Sequence, residues 1–129
     1  MPNRPFRILA IDDEPIILDL IKFNLEKDGY RVDTFSCIKD ALKNNLSIYN
    51  LIITDVMIND ISNIEFISNI KQNPSTAHIP VIICSAKGME KDVTNSLNAG
   101  ADDFIAKPFS TRELSARVKS MLRRQKRKA

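Results

Sequence analysis

The stretch "FRILAIDDEPIILDLIKFNLEKDG", residues 6–29, sets the reading of the whole chain. It opens on an apolar run, Phe6 to Ile11, breaks into three consecutive acids, and resumes with Ile17, Leu20, Ile21 and Leu25. The second set has the i, i+3, i+4, i+8 spacing of one helix face, and Gly29 closes it. A buried strand followed by an amphipathic helix is one β-α unit, and the alternation returns four times. "YRVDTF" (30–35) precedes Ile38, Ala41 and Leu42, and "NLIITD" (50–55) precedes Ile64, Ile67 and Ile70, closed off near Pro74. "IPVIICSA" (79–86) precedes Met89, Val93 and Leu97, with Gly100 behind them. "DDFIAKP" (102–108) precedes Leu114, Val118, Met121 and Leu122, with Ser110 or Thr111 placed to cap the helix. Three of the strands are continuous Ile/Leu/Val runs, the pattern of strands covered on both faces. Strands alternating with helices imply a parallel sheet with right-handed crossovers, hence a doubly wound α/β sandwich of three layers, with five strands and five helices.

Bulk properties bound what such a sandwich can be. At 129 residues there is room for one domain with a real core. No apolar run approaches the roughly 20 residues of a membrane span, and "MPNRPF" has no apolar segment behind its basic residue to make a secretory signal. A cytoplasmic location without a membrane partner is expected. Cys37 and Cys84 stand far apart, with no CxxC spacing and no histidine cluster, so they read as small core residues rather than redox or zinc groups. His78, the only histidine, lies in the polar loop "NPSTAHIP" and reads as surface. The net charge of +3 is uneven: residues 117–129 hold seven cations and no acid, leaving 12 cations against 16 acids elsewhere. A mildly acidic body with a basic tail is not the charge pattern of a nucleic-acid-binding domain.

In open parallel sheets ligands bind outside the carboxyl ends of the strands. The first strand there delivers Asp12 and Asp13, the third Asp55, the fourth Ser85 and the fifth Lys107. Crowded carboxylates resist ionising together, so a cation is needed among them. Three acids without cysteine or histidine form an all-oxygen site suited to Mg²⁺, which takes one or two carboxylates and accepts phosphate oxygens. A carboxylate can also be the nucleophile of phosphoryl transfer, forming an aspartyl phosphate. That chemistry asks chiefly for alignment and charge neutralisation, which Mg²⁺, the Lys107 ammonium and the Ser85 hydroxyl with neighbouring backbone N–H groups would share. The bland alternatives are a helix cap for Asp12 and Asp13, a strand-end turn for Asp55 and an exposed loop for Lys107-Pro108. Each explains one residue, and none explains the set.

The chain resembles the CheY-like receiver domain of two-component response regulators over about residues 6–122. The resemblance rests on "IDDEP" (11–15), "LIITDVMI" (51–58), "VIICSAK" (81–87), "AGADDFIAKPF" (99–109) and "RELSARVKSMLRR" (112–124), five motifs in order and at the family's spacing. It implies a flavodoxin-like sheet of order 2-1-3-4-5 and a receiver domain over residues 1–122. The basic segment 123–129 would be a tail or the start of a linker. It implies that Asp55 accepts a phosphoryl group from a sensor histidine kinase or phosphotransfer protein. Asp12 and Asp13 would hold Mg²⁺ with Asp55 and the Met57 carbonyl, Lys107 and Ser85 would complete the site, and Ser85 and Phe104 would act as the switch pair. The positions of Met57 and Lys87 would influence the phosphoryl lifetime. The face of the fourth helix, fifth strand and fifth helix would change on phosphorylation. It would then control a partner, a second copy of the chain, or an effector domain outside it. Such a domain catalyses only its own phosphorylation and dephosphorylation. Two positions depart from the family: Asn59 stands where proline is usual and Asn63 where glycine is usual. Asparagine tolerates the left-handed conformation a turn needs, so the loop is expected to form.

Two other functions compete. A phosphatase of the haloacid dehalogenase type shares the aspartate nucleophile, but it wants a second acid two residues on, where this chain has Met57, and a cap domain. A pseudo-receiver would dock partners without phosphorylation, and the full set Asp12, Asp13, Asp55, Ser85 and Lys107 speaks against it. A dinucleotide site is excluded, since Gly29, Gly88 and Gly100 are the only glycines and form no GxGxxG.

Overall fold

A computed structural model describes residues 5–59 and 61–127, the side chains of 125–127 apart. The chain runs β1 (Arg7–Ile11), α1 (Pro15–Lys27), β2 (Arg31–Phe35), α2 (Ile38–Ala41), a 3₁₀ turn (Leu46–Ile48) and β3 (Leu51–Asp55). It continues with α3 (Ile64–Gln72), β4 (Val81–Ser85), α4 (Glu90–Asn98), β5 (Asp103–Ala106) and α5 (Thr111–Arg127). A two-residue ribbon, Met57–Ile58 against Ile61–Ser62, bridges β3 to α3. The main sheet is parallel throughout, in the order β2-β1-β3-β4-β5. This is the doubly wound, five-helix, flavodoxin-like sandwich that the repeated β-α pattern implies. α5 continues to Arg127, through most of the basic segment read as a tail; Lys128 and Ala129 lie outside the described residues.

The three inner strands β1, β3 and β4 are largely apolar because each feeds two cores. Ile8, Ala10, Leu51, Ile53, Ile82 and Cys84 face α1 and α5, packing with Leu18, Ile21, Leu25, Leu114, Val118, Met121 and Leu122. Their neighbours Leu9, Ile11, Ile52, Val81 and Ile83 face the other way, onto Phe66, Ile67 and Ile70 of α3. Alternation of side chains along a strand produces this division. Each fully buried Ile or Leu contributes roughly 1.5–3 kcal/mol, so the sheet's stability rests on these two layers. Burial also pushes the Cys84 thiol up to about 12, which leaves it inert, while Cys37 is free and half-buried. His78 is exposed.

Helix ends follow the sequence signals. Past α1, Gly29 adopts φ 99°, its N–H reaching the Glu26 carbonyl while the Tyr30 N–H reaches that of Leu25. Gly100 does the same past α4, with φ 123° and the Ala101 N–H on the Ser96 carbonyl. Both are Schellman closures, which glycine allows without a Cβ penalty. Of the two candidate caps for α5, Ser110 is the one used, its Oγ accepting from the Glu113 N–H at 3.0 Å.

Two helix faces differ from expectation. In α1 Leu18 joins Ile21 and Leu25 in the core, while Ile17 and Leu20 are half-buried and Ile16 and Phe23 are 80% and 69% exposed. In α4, Leu97 is 38% exposed and Ser96 is buried in its place, so the helix lies on Met89, Val93 and a small polar residue.

Beyond its cores the sheet has a polar anchor at the β1–β2 side. Asp33 accepts from the Tyr49 hydroxyl at 2.6 Å and from Arg7 Nη2 at 3.2 Å. The Tyr49 bond holds its carboxyl below the usual range, with Arg7 assisting and partial burial opposing. A lowered carboxyl stabilises the fold above its unfolded pKa, and that contribution is lost as pH falls through its folded value. Tyr49→Phe should therefore cost about 1 kcal/mol near neutrality and less in acid, once Asp33 is protonated. Denaturant unfolding at the two pH values checks this; equal losses would assign the cost to packing.

Candidate functional site

The carboxyl ends of β1 and β3 and the loop after β5 meet at one place. Asp12, one residue past β1, is 1% exposed, and Asp55 is the last residue of β3. One carboxylate oxygen from each of Asp12, Asp13 and Asp55 lies within 4.8 Å of the others. Into this cluster the Lys107 ammonium projects, 2.6 Å from Asp55 Oδ2, 2.9 Å from Asp12 Oδ2 and 3.0 Å from Glu14 Oε2. Its side chain is 13% exposed. Burial alone would lower the ammonium's pKa, but the bonds to Asp12, Asp55 and Glu14 outweigh it and hold the group protonated well above its ordinary value. For Asp12 the balance runs the other way. Burial, with Asp55 adding to it, raises the carboxyl against the opposing pull of Lys107 and the Glu14 N–H.

Backbone groups hold the remaining oxygens. The Glu14 N–H donates to Asp12 Oδ1 at 2.9 Å, the Met57 N–H to Asp55 Oδ1 at 3.2 Å and the Asn59 N–H to Asp13 Oδ2 at 2.7 Å. Asn59 takes the left-handed conformation, φ 53°, that asparagine accepts more readily than other residues. Lys107 is tied to β4, its N–H donating to the Ser85 carbonyl at 2.7 Å. Ser85 itself is 4% exposed at the end of that strand. A carboxylate offers about four acceptor positions, so these bonds leave oxygen lone pairs free. An all-oxygen donor set this close fits a hard divalent cation.

Asp12, Asp13, Asp55 and Lys107 thus meet in one cluster. Ser85 adjoins it through the backbone of Lys107, and Met57 through its own N–H. Phe104 stands apart on the edge strand β5, 40% exposed. Three further residues join the site with contacts that residue type and spacing do not reveal. Glu14 was visible in the acidic run, but its reach to Lys107 was not. Asn59 and Asn63 were visible as departures from a pattern. Asn63 does not supply a left-handed turn: its φ is −95°, it is 2% exposed, and its amide points under Asp55.

This fold and this acid cluster with its bridging ammonium define the class. The model of the response regulator receiver domain family matches residues 8–119, and the chain belongs to that family. Among curated relatives, the phosphate regulon transcriptional regulatory protein PhoB of Rhizobium meliloti is 40% identical over 93% of this chain and 53% of its own length. The alkaline phosphatase synthesis transcriptional regulatory protein PhoP of Bacillus subtilis is 41% identical over 92% of this chain and 49% of its own. The chain spans about half the length of these relatives. A CheY-like receiver domain protein from Methanospirillum hungatei superposes with a TM-score of 0.87 at 29% identity, covering 98% of this chain and all of that one. The response regulator DrrB of Thermotoga maritima gives 0.82 at 31% identity, over 95% of this chain and 54% of its own. The matched region is thus a signalling domain. Among the described residues no helix is long and apolar enough to cross a membrane.

Proposed function

We propose that the domain is switched by phosphorylation of Asp55. The observation that carries the reading is the Lys107 ammonium 2.6 Å from Asp55, on a residue whose backbone is bonded to Ser85. A group placed on Asp55 is therefore felt at the β4 and β5 ends at once. Asp55 attacks phosphorus, the bond to the donor's nitrogen breaks, and the donor leaves as the free imidazole. Lys107 and the Ser85 hydroxyl neutralise and bind the transferred oxygens, and backbone N–H groups keep Asp12, Asp13 and Asp55 oriented. Asp12, Asp13, Asp55 and the Met57 carbonyl would hold Mg²⁺, which when bound offsets the charge of the acids and of the incoming phosphoryl group.

The donor is a sensor histidine kinase or phosphotransfer protein. The exposed apolar residues Ile16 and Phe23 of α1, the helix that follows the acidic run, support a surface for one. The output surface is α4, β5 and α5, where Phe104 and Leu97 are part-exposed among charged residues. Arg117 there holds both oxygens of Asp103, at 3.1 and 3.0 Å, whereas Asp102 is engaged within the fold by Lys71 and the Val81 N–H. Ser85 and Phe104 form the switch. They bias this surface toward a second copy of the chain, an effector region outside these residues, or a separate partner. The test is incubation with Mg²⁺ and acetyl phosphate, read by intact mass. A gain of one phosphoryl group is expected; none, from a folded protein, would favour a docking module that works unphosphorylated.

A further inference from the structure

Asn63 makes more bonds to the end of β3 than a helix-start residue needs. Its Nδ2 donates to Thr54 Oγ1 at 2.9 Å and to the Asp55 carbonyl, and its own N–H donates to the Val56 carbonyl at 3.1 Å. One residue at the head of α3 thus touches three consecutive residues around Asp55. Its side chain is 2% exposed, and Oδ1 is buried without a hydrogen-bond partner. The amide cannot be turned to satisfy that oxygen, because turning would set Oδ1 against the Asp55 carbonyl, acceptor to acceptor. An orphaned buried acceptor weakens the fold. A role in stability alone therefore explains the residue poorly.

We infer that Asn63 is a positioning residue for the Asp55 site: it fixes the Asp55 carbonyl, and through it the path of Val56 and Met57. The inference rests on the reading of Asp55 and Met57 as cation ligands given above. The peptide planes on either side of Asp55 decide where its carboxylate points and where the Met57 carbonyl faces. The Thr54 hydroxyl, 0% exposed, also donates to the Asp55 carbonyl, at 3.2 Å, but by itself it is a long bond. Asn63 adds a second donor to the same carbonyl, and it does so from α3, whose first turn closes on the Asn63 carbonyl through the Ile67 N–H at 3.0 Å. Partners in this outer layer orient cation ligands, and their loss typically lowers cation affinity by about 10–100-fold.

The test compares Asn63→Ala and Asn63→Asp with the wild-type chain. Asn63→Asp keeps the volume but replaces the donor with an acceptor facing the Asp55 carbonyl. Mg²⁺ affinity by calorimetry should fall about tenfold in the Ala variant and further in the Asp variant. In the metal-free protein, amide exchange of Val56 and Met57 should quicken while that of β1 and α1 stays unchanged. Acetyl phosphate should still label Asp55 in both variants, more slowly. Wild-type affinity and exchange in both variants would overturn the inference and leave Asn63 a plain start to α3. A wild-type chain that takes neither Mg²⁺ nor phosphoryl would instead sink the reading of the site itself, and the inference with it.

Discussion

Asp55→Asn should abolish phosphoryl uptake from acetyl phosphate while leaving the fold intact. The substitution keeps the side chain's volume and an oxygen that can accept the Met57 N–H, now made to Asp55 Oδ1 at 3.2 Å. It removes the nucleophile, since an amide oxygen does not form a stable phosphoryl ester. The charge cost is small in either direction. One of three mutually repelling carboxylates disappears, and so does one of the three acceptors of Lys107. Circular dichroism should therefore match the wild type, with mass spectra showing labelling reduced to background. An Asp55→Asn variant that still gains one phosphoryl group would mean that another acid is the acceptor, with Asp13, the more accessible neighbour, the first to examine.

The same experiment separates the rival functions. A phosphatase of the haloacid dehalogenase type needs a general acid two residues after its nucleophile, and that residue is Met57, whose N–H rather than any side-chain proton meets Asp55. Such an enzyme would turn over many equivalents of donor. A receiver consumes the donor only as fast as its own aspartyl phosphate hydrolyses. Slow, Asp55-dependent release of phosphate is the expected outcome.

The fold was legible because burial on both faces leaves a coarse mark. Runs such as Leu51–Ile53 and Val81–Ile83 divide between two cores, and their alternation with helix-period stretches marks them as strands of a sheet covered on both faces. Helix rotation was less legible. α1 carries Ile16, Ile17, Leu18, Leu20, Ile21 and Phe23, more apolar residues than one stripe can bury, so spacing alone could not choose Leu18 over Leu20. α4 hid its contact in the other way, since a small Ser96 at a close approach has no hydrophobic signal. The acids and Lys107 were legible because each directly follows an apolar run and chain topology sends all those ends to one edge. The bonds around them were not. Asn59 and Asn63 act through the path of the loop 56–63, with its two-residue ribbon, and nothing in residue type or period reveals where a backbone carbonyl will point.

Lys107→Ala should separate phosphorylation from its consequences. In the metal-free protein this ammonium is the cation that bonds Asp12, Asp55 and Glu14 together. Its removal leaves a carboxylate cluster in which Asp12 is 1% exposed. Breaking a buried ion pair by deleting one partner typically costs about 3–5 kcal/mol, and the loss here should fall near the lower end because Glu14 stays in solvent. Mg²⁺ binds the same acids, so it should raise the variant's thermal midpoint by more than it raises the wild type's. Uptake at Asp55 should persist at a reduced rate, because the nucleophile and the Asp12 and Asp13 carboxylates are intact. The conformational response should not persist. Lys107 joins a group on Asp55 to the Ser85 carbonyl by its own N–H, 2.7 Å away, and so to the loop that leads into α4. That helix buries only Ser96 and has a low anchorage to begin with. In the wild type, phosphorylation should change amide exchange across residues 86–100. In Lys107→Ala, at equal phosphoryl content, that change should shrink to the level of the unphosphorylated protein. A variant that is labelled and still shows the full change would place the coupling elsewhere, on the Ser85 hydroxyl alone.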